Sequence, residues 1–465
     1  MSRKAGLLLT ALLACAALAA ASAELSPEGA HALLSRLIGA DESGRATARA
    51  GLMRAADREL LPHLVDALFF APAQARPDVL TCLEALAGEK PGPAYRTWVE
   101  WIGGHPEIRP KEGYRAWKAQ LFSRIDPAFA TFLDPAQAML IRPEEIVWGG
   151  VKKDGIPALT NPRTVTASEA AFLSDQELVF GVGFRGFFRA YPQRILDWHE
   201  MANDRVGDQP FALSYCTLCG SAVAFATGLS DGTAMIFGSS GLLYRSNKLM
   251  YDERTLSLWS NLTGEPVAGA LAGTGVALPV LPMTVTRWGD WKARHPETTV
   301  VSLETGYQRD YTPGAAYGKY FQSPDTMFPV WRKDTRLEKK SWIYSLREGA
   351  SARAYPLDVL FRERVVNDAV GGVPVVLVAD PESGAVRAYR REGRDLAEGA
   401  LPAQVVEPAT RASWRLEEEA LVPLSAGALP LQRFPGHRAY WFGWHAFFPD
   451  GTLYEGCAAG RLEGR

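Results

Sequence analysis

Cys216 and Cys219 form a Cys-x-x-Cys pair followed by Gly220, and Trp198-His199-Glu200 stands a short way upstream. In a chain with 5 Cys and 7 His among 465 residues, these two thiols, an imidazole and a carboxylate are the densest set of soft donors. Two thiols at this spacing have three physical uses. Both can ligate a soft metal from one side of a tight turn, with Gly220 freeing the backbone behind them. They can cycle between dithiol and disulfide, or they can close a small static disulfide. A redox pair typically opens a helix after a strand, where the helix dipole lowers the first thiol's pKa. Here Phe211 to Tyr215 and Ser221 to Phe225 both read as strands, which puts the pair on a β-turn and favours ligation over fast exchange. Heme attachment is excluded, because Gly220 stands where that motif needs His.

Structural zinc sites take four ligands. His199 is the natural third, and a weak fourth from His295, Met250 or Glu200 would complete a copper or zinc site. Glu200 would orient the imidazole or act as a catalytic base. The competing reading of His199 is a buried histidine hydrogen-bonded to the backbone. Downstream, Gly238 to Asn247 lacks the Lys-Ser/Thr end and the following helix of a phosphate loop, so no nucleotide is expected. It reads as a tight loop between strands, with Arg245 and Asn247 as binding candidates facing the same cleft. Arg309 and Asp310, within Thr305-Gly306-Tyr307-Gln308-Arg309-Asp310-Tyr311, either line a pocket or form a surface ion pair.

The elements that must position these residues follow from the rest of the chain. The composition is globular, 47% hydrophobic and 22% charged with 13 Trp and 15 Tyr, enough to bury a sizeable core. Fifty basic and 52 acidic residues nearly cancel, which leaves nucleic-acid binding without electrostatic support. Met1-Ser2-Arg3-Lys4, an apolar run to Ala20 and Ala21-Ser22-Ala23 read as a secretory signal over residues 1–23. Leu12-Leu13-Ala14-Cys15 offers a lipoprotein alternative anchored at Cys15. No later run approaches the ~18 residues of a spanning helix, so an exported, periplasmic protein is expected. In an oxidising compartment Cys82, Cys216, Cys219 and Cys457 permit disulfides without assigning them.

Residues 24–134 carry helical periodicity, beginning with Ser26 as N-cap and Pro27 at the first helical position. This domain is expected to be an accessory body, with a protein partner as its natural use. From about Ile146 the pattern turns to short β-branched and aromatic runs. An internal repeat runs through it at an offset of 164: Arg189-Ala190-Tyr191-Pro192 recurs as Arg353-Ala354-Tyr355-Pro356, and Asn203-Asp204 as Asn367-Asp368. Trp288-Gly-Asp-Trp291 recurs as Trp441-Phe-Gly-Trp444. Shared positions belong to the fold: Asn-Asp and Gly as a turn, the Trp pair as core. His199, Glu200, Cys216 and Cys219 align with Glu363, Arg364, Asp380 and Ser383, so every candidate ligand is confined to the first copy. The expectation is an α+β multidomain protein: a helical N-terminal domain followed by two duplicated mainly-β domains, 135–310 with the site and 343–465 without it, joined by 311–342.

Tyr215-Cys216-x-x-Cys219-Gly220-Ser221-Ala222, Trp198-His199-Glu200, Gly241-Leu242-Leu243-Tyr244 and Thr305-Gly306-Tyr307-x-Arg309-Asp310-Tyr311 together resemble a bacterial family catalogued as domain of unknown function 3179. The resemblance spans roughly residues 135–455 and leaves out the helical segment. It implies that the Cys-x-x-Cys pair and the Trp-His-Glu triplet are shared features, and it implies no activity. Three functions are therefore expected in turn: binding of copper or zinc by Cys216, Cys219 and His199; thiol-disulfide exchange at the two cysteines; and a binding module with a static disulfide.

Overall fold

The computed structural model describes residues 25–456 except Asp231, Pro402, Ala426 and Gly427. Residues 1–23, read from the sequence as a secretory signal, with Cys15 among them, and Cys457 lie outside the described residues. The chain divides into two compact units, Met1–Leu121 and Phe122–Arg465.

The first unit contains α1 (Pro27–Gly39), α2 (Glu42–Ala55), α3 (Leu61–Phe70), α4 (Arg76–Ala87) and α5 (Tyr95–Gly103), and α6 (Tyr114–Phe122) begins in it. Local chemistry sets the ends. Ser26 accepts from the Gly29 N–H at 3.1 Å with Pro27 directly behind it, and Asp41 accepts from the Gly44 N–H at 2.8 Å, each satisfying a helix-end donor. Gly88 ends α4 at φ 73, a left-handed conformation that glycine adopts without strain. Leu34, Leu52, Leu64 and Leu83 fill the centre. Asp66 is buried there against the Tyr114 hydroxyl at 2.6 Å and the Lys118 ammonium at 3.1 Å. Cys82 is buried on α4 and free.

The second unit opens with α7 (Ala128–Phe132) and is otherwise mainly β, as expected, with five further short α-helices among the described residues. Its first half runs β1 (Leu178–Phe184), β2 (Phe187–Pro192), α8 (Gln193–His199), β3 (Met201–Val206), β4 (Gln209–Cys216), β5 (Ser221–Ala226), β6 (Phe237–Tyr244), β7 (Asn247–Asp252), β8 (Leu258–Ser260), β9 (Met283–Arg287), α9 (Trp288–Arg294) and β10 (Thr299–Val301). After the short α10 (Gly318–Gln322), the second half runs β11 (Trp342–Glu348), β12 (Ser351–Pro356), α11 (Leu357–Glu363), β13 (Val365–Val370), β14 (Val373–Ala379) and β15 (Val386–Arg390). It ends with β16 (Gly436–Tyr440), α12 (Trp441–Phe447) and β17 (Thr452–Leu453).

The pairings in the two halves correspond. Phe180 faces Tyr191 across β1–β2 and Tyr344 faces Tyr355 across β11–β12. Each hairpin takes a parallel neighbour on one edge, β10 on β2 and β17 on β12, and each is followed by an antiparallel meander, β3-β4-β5 or β13-β14-β15. The four Trp of the repeated motif are fully buried.

The repeated Asn-Asp does not make the turn expected of it. Both pairs lie within strands, and their side chains act instead. Asn203 exchanges two hydrogen bonds of 2.9 Å with the backbone of Phe237, and Asn367 does the same with Leu396 at 2.7 and 3.0 Å. Asp204 accepts from Tyr191 at 2.6 Å and pairs with Arg189 at 2.7 Å, while Asp368 accepts from Tyr355 at 2.9 Å and pairs with Arg353 at 2.7 Å. Asn203 and Asp204 are buried, where polar groups must be paired; the second half keeps the same bonds although Asn367 is exposed and Asp368 half-buried.

Candidate functional site

β4 ends at Cys216 and β5 begins at Ser221, so the Cys-x-x-Cys pair occupies the turn between two central strands. The Cys219 N–H closes the turn on the Cys216 carbonyl at 3.2 Å, and Gly220 follows at φ 61. A Cβ at Gly220 would lie 2.5 Å from the Trp342 ring, so this glycine is required by both its backbone and its neighbour. Three later segments cover the turn. The Tyr320 hydroxyl donates to the Leu218 carbonyl at 2.6 Å, the Tyr440 N–H donates to the Cys219 carbonyl at 2.7 Å, and Gly443 packs directly on Cys219.

Both thiols are buried, Cys216 at 1% and Cys219 at 0% exposure, and they are not disulfide-bonded. Their surroundings divide the roles. The Cys219 sulfur lies 2.9 Å from the Ser246 carbonyl, which competes with Cys216 for the one Cys219 thiol proton. Burial, together with the hydrogen bond to and the charge of Cys216, pushes the Cys219 thiol well above its ordinary pKa. Burial alone would also raise Cys216. Donors from the Cys219 thiol and the backbone N–H groups of Lys248 and Cys219 outweigh it and hold Cys216 below its ordinary value. Of the two, Cys216 is the thiol whose ionisation its surroundings favour and Cys219 the one whose ionisation they oppose.

Around Cys216 lies a group of buried ionisable side chains. Lys248, on β7, donates to the Glu200 carbonyl at 2.6 Å and stands 3.9 Å from the Glu200 carboxylate. Burial lowers the Lys248 pKa against the opposing pull of Glu200 and Cys216. Burial raises Glu200, whose carboxylate accepts from the Thr217 hydroxyl at 2.8 Å. Asp197, one turn back, is pushed by burial up to about 7. Cys216, Glu200, Lys248 and Tyr317 line a cavity of about 60 Å³ whose remaining walls include Val151, Leu243 and Phe328. Cys219 does not line it.

His199 is not in this cavity. Its Nδ1 donates to the Pro157 carbonyl at 2.8 Å, and its Nε2 accepts from the Tyr311 hydroxyl at 2.6 Å. With both nitrogens engaged, the expected Cys2His site is not assembled. His199 instead anchors the Thr305–Tyr311 loop, helped by a 2.7 Å bond from the Trp198 indole to the Asp310 carbonyl and by Arg309 over the Trp198 ring. Two motifs that were separate in the sequence are therefore one structural contact, and Arg309 and Asp310 serve it rather than the thiols. His295 stacks on Phe188 at 3.9 Å and faces Glu418 at 3.4 Å, within a buried ion cluster. Met250 is core, packed with Phe237 and Trp259. Among the described residues no group of three or more His, Cys, Asp or Glu could hold a metal ion.

Arg245 also turns away from the thiols, pairing with Glu145 at 2.5 Å and the Ala446 carbonyl at 3.1 Å. Asn247 does belong to the site: it hydrogen-bonds Cys219 from behind and donates to Ser221 at 2.9 Å. Glu200 lies in the cavity, at φ 53. Its counterpart Arg364 has φ 61, so the left-handed backbone belongs to the shared helix-to-strand turn and not to the chemistry. Sequence reading missed Lys248, Thr217, Tyr317 and Asp197. Lys248 carried a usable signal, a cation inside an apolar strand, which is rarely buried unless paired. In the second half Arg364, Asp380 and Glu382 line a cavity of about 400 Å³ that holds no thiol.

A family model described as "Protein of unknown function (DUF3179)" matches residues 153–451, more than half of the chain, with Asp197, Glu200, Cys216, Cys219, Lys248 and Tyr317 inside the match. The chain belongs to the DUF3179 family. Searches of curated proteins and of solved structures found no match. The family description carries no activity, so a function for this DUF3179 member has to come from the site itself.

Proposed function

We propose that Cys216 and Cys219 form a redox-active dithiol, with Cys216 as the reacting thiolate and Cys219 as the resolving thiol. One observation carries this reading: Cys216 alone faces the cavity, beside the Lys248 cation, while Cys219 stands behind it as a hydrogen-bond donor. A nucleophilic cysteine needs a stabilised thiolate, and its partner must keep a proton until the disulfide closes. Export in the manner of the N-terminal leader, to the periplasm, would place the pair in a compartment where disulfides persist. We further read the two β halves as copies of one unit in which only the first keeps the chemistry, and the helical unit as a docking body for a protein partner.

The test is thiol titration and peptide mapping of the mature protein before and after mild oxidation, on wild type, Cys216→Ser and Cys219→Ser. Loss of both thiols, with a Cys216–Cys219 crosslink that reductant reverses, is expected. Thiols that stay unreacted until the chain is unfolded would refute it. Soft-metal binding rests on the same two sulfurs, since thiolates select copper and zinc. Elemental analysis of the same samples separates the two readings: a stoichiometric metal lost in Cys216→Ser would replace redox chemistry.

A further inference from the structure

Thiol-disulfide exchange moves protons as well as electrons, because a sulfur that attacks gives up a proton and a sulfur that departs takes one. Cys216 is 1% exposed, which makes a neighbouring side chain the nearest carrier. The ionisable groups that line the cavity with Cys216 are Glu200, Lys248 and Tyr317. Burial raises the Tyr317 hydroxyl above its ordinary pKa and keeps it neutral. Lys248, 2% exposed, brings one positive charge, and Glu200 and Cys216 are the two acids that can answer it. Buried charges are tolerated in pairs, so one cation supports one anion there and the two acids share a single proton. The Glu200 carboxyl has a place for it. Its Oε1 accepts from the Thr217 hydroxyl at 2.8 Å, while among the described residues no hydrogen bond reaches Oε2, which lies 3.9 Å from the Lys248 ammonium. In the second half Arg364 stands for Glu200 and Asp380 for Cys216, so the carboxyl and the thiol are absent together.

Resting on the redox reading above, we propose that Glu200 holds the proton that Cys216 gives up and delivers it to the departing sulfur when a disulfide R–S–S–R oxidises the pair. The cavity is open on the side of Met327, which is 51% exposed, and the oxidant approaches there. In the first step the Cys216 proton passes to the Glu200 carboxylate and the Cys216 sulfur attacks one sulfur of the oxidant. A new S–S bond forms, the oxidant's own S–S bond breaks, and the departing thiolate takes the proton from Glu200 and leaves as R–SH. In the second step the Cys219 sulfur attacks the Cys216 sulfur. The protein disulfide forms, the mixed disulfide breaks, and the second R–S group leaves with the proton that Cys219 gives up. The sum is two thiols and one R–S–S–R going to one protein disulfide and two R–SH.

Lys248 stays charged throughout, fixed by the Glu200 carbonyl at 2.6 Å, and balances the one negative charge as it moves from carboxylate to sulfur. Glu200 would be a catalytic residue in the first step, and Thr217 and Lys248, acting through it, positioning residues.

The experiment uses the fully reduced full-length protein in a Cys219→Ser background, where reaction stops at the Cys216 mixed disulfide, read by intact mass and peptide mapping. Two reagents are compared: bis(2-hydroxyethyl) disulfide, whose departing thiolate is basic and needs a proton, and 4,4′-dithiodipyridine, whose departing group leaves without one. Glu200→Gln is expected to slow the first reaction at least about tenfold. It is expected to leave the second unchanged or faster, because, besides burial, the Glu200 charge opposes ionisation of Cys216. A substitution that only disturbs the fold moves both rates alike. If Glu200→Gln fails to fold, the chain with Glu200 in place supplies the answer, through a solvent deuterium isotope effect expected to be larger with the first reagent than with the second. Equal rate changes with the two reagents, or equal isotope effects, overturn the role of Glu200 and leave the redox pair standing. A Cys216 that reacts with neither reagent until the chain is unfolded removes the redox reading, and this proposal with it.

Discussion

The backbone N–H of Tyr440 donates to the carbonyl of Cys219 at 2.7 Å, and at the corresponding place the N–H of Arg287 donates to the carbonyl of Ser383 at 3.0 Å. Each half of the β unit thus closes the other's strand-to-strand turn. Contacts of this reciprocal kind are what a twofold-symmetric pair of identical subunits makes, here within one chain. The second half, which lacks the thiols, is in this way part of the thiol site.

Gly443 is a tight point of that closure, since a Cβ there would sit 2.8 Å from the Cys219 sulfur. Gly443→Ala is expected to destabilise the β unit by about 1–3 kcal/mol, the usual cost of overpacking a filled core. Denaturant midpoints of variant and wild type check it. An unchanged midpoint would mean that the closure is loose.

Asp197 gives a pH dependence with a definite sign. Its folded pKa, raised by burial to about 7, lies above the ~3.9 of an unfolded aspartate. The native state therefore holds a proton that the unfolded state releases, and stability falls as pH rises from about 4 to about 7, by ~1.4 kcal/mol per unit at most. Asp197→Asn is expected to remove that slope. Unfolding free energies of the two proteins across this range give the answer as a difference.

His199 acts in the opposite direction. Burial, opposed by the Pro157 hydrogen bond and helped by the Arg309 charge, lowers its pKa, so the unfolded state protonates first and stability drops as pH falls below about 6.5. Tyr311→Phe, which removes the donor to Nε2, is expected to cost about 1–2 kcal/mol and to leave thiol oxidation unchanged. A marked change in the thiol titration of Tyr311→Phe would return His199 to the thiol site.

Glu418 is buried among Arg387 at 2.7 Å, His295 at 3.4 Å and Arg433 at 3.6 Å. Burial opposes its ionisation, but Arg387, His295 and Arg433 together hold its carboxyl well below the usual range. Its stabilisation is complete above the ordinary carboxylate pKa and is lost as pH falls toward the folded one. Glu418→Gln leaves two buried guanidinium groups without their anion, at an expected cost of about 3–5 kcal/mol, read from thermal or denaturant unfolding.

Much of the architecture was legible because it rests on local rules. Ser26-Pro27 marked the first helix, the runs on either side of the cysteines marked β4 and β5, and the repeated residues marked corresponding strands. The short helices α8 and α11 were missed, since seven residues between strands give too little periodicity to register. The candidate site was half legible. Cys216, Cys219, Glu200 and Asn247 meet, while His199, His295, Arg245, Arg309 and Asp310 serve packing elsewhere. The difference is one of direction: strand pairing brings the backbone of Glu200 beside Tyr215, where its carbonyl accepts that residue's N–H at 2.9 Å. His199, one residue earlier on the end of α8, points to the opposite side. Lys248 reaches the thiols from a strand that only the three-dimensional sheet order places there.

The reciprocal closure also sets a timetable. Tyr440 and Gly443 are synthesised long after Cys219, and contacts so distant in sequence form late in folding. Until they arrive, both sulfurs are open to any thiol or oxidant that the growing chain meets. Once β16 and α12 dock, Cys219 is covered and Cys216 is the thiol of the pair that lines the cavity. The oxidation state in which the protein starts its working life is therefore fixed by what it encounters before its last strands are in place.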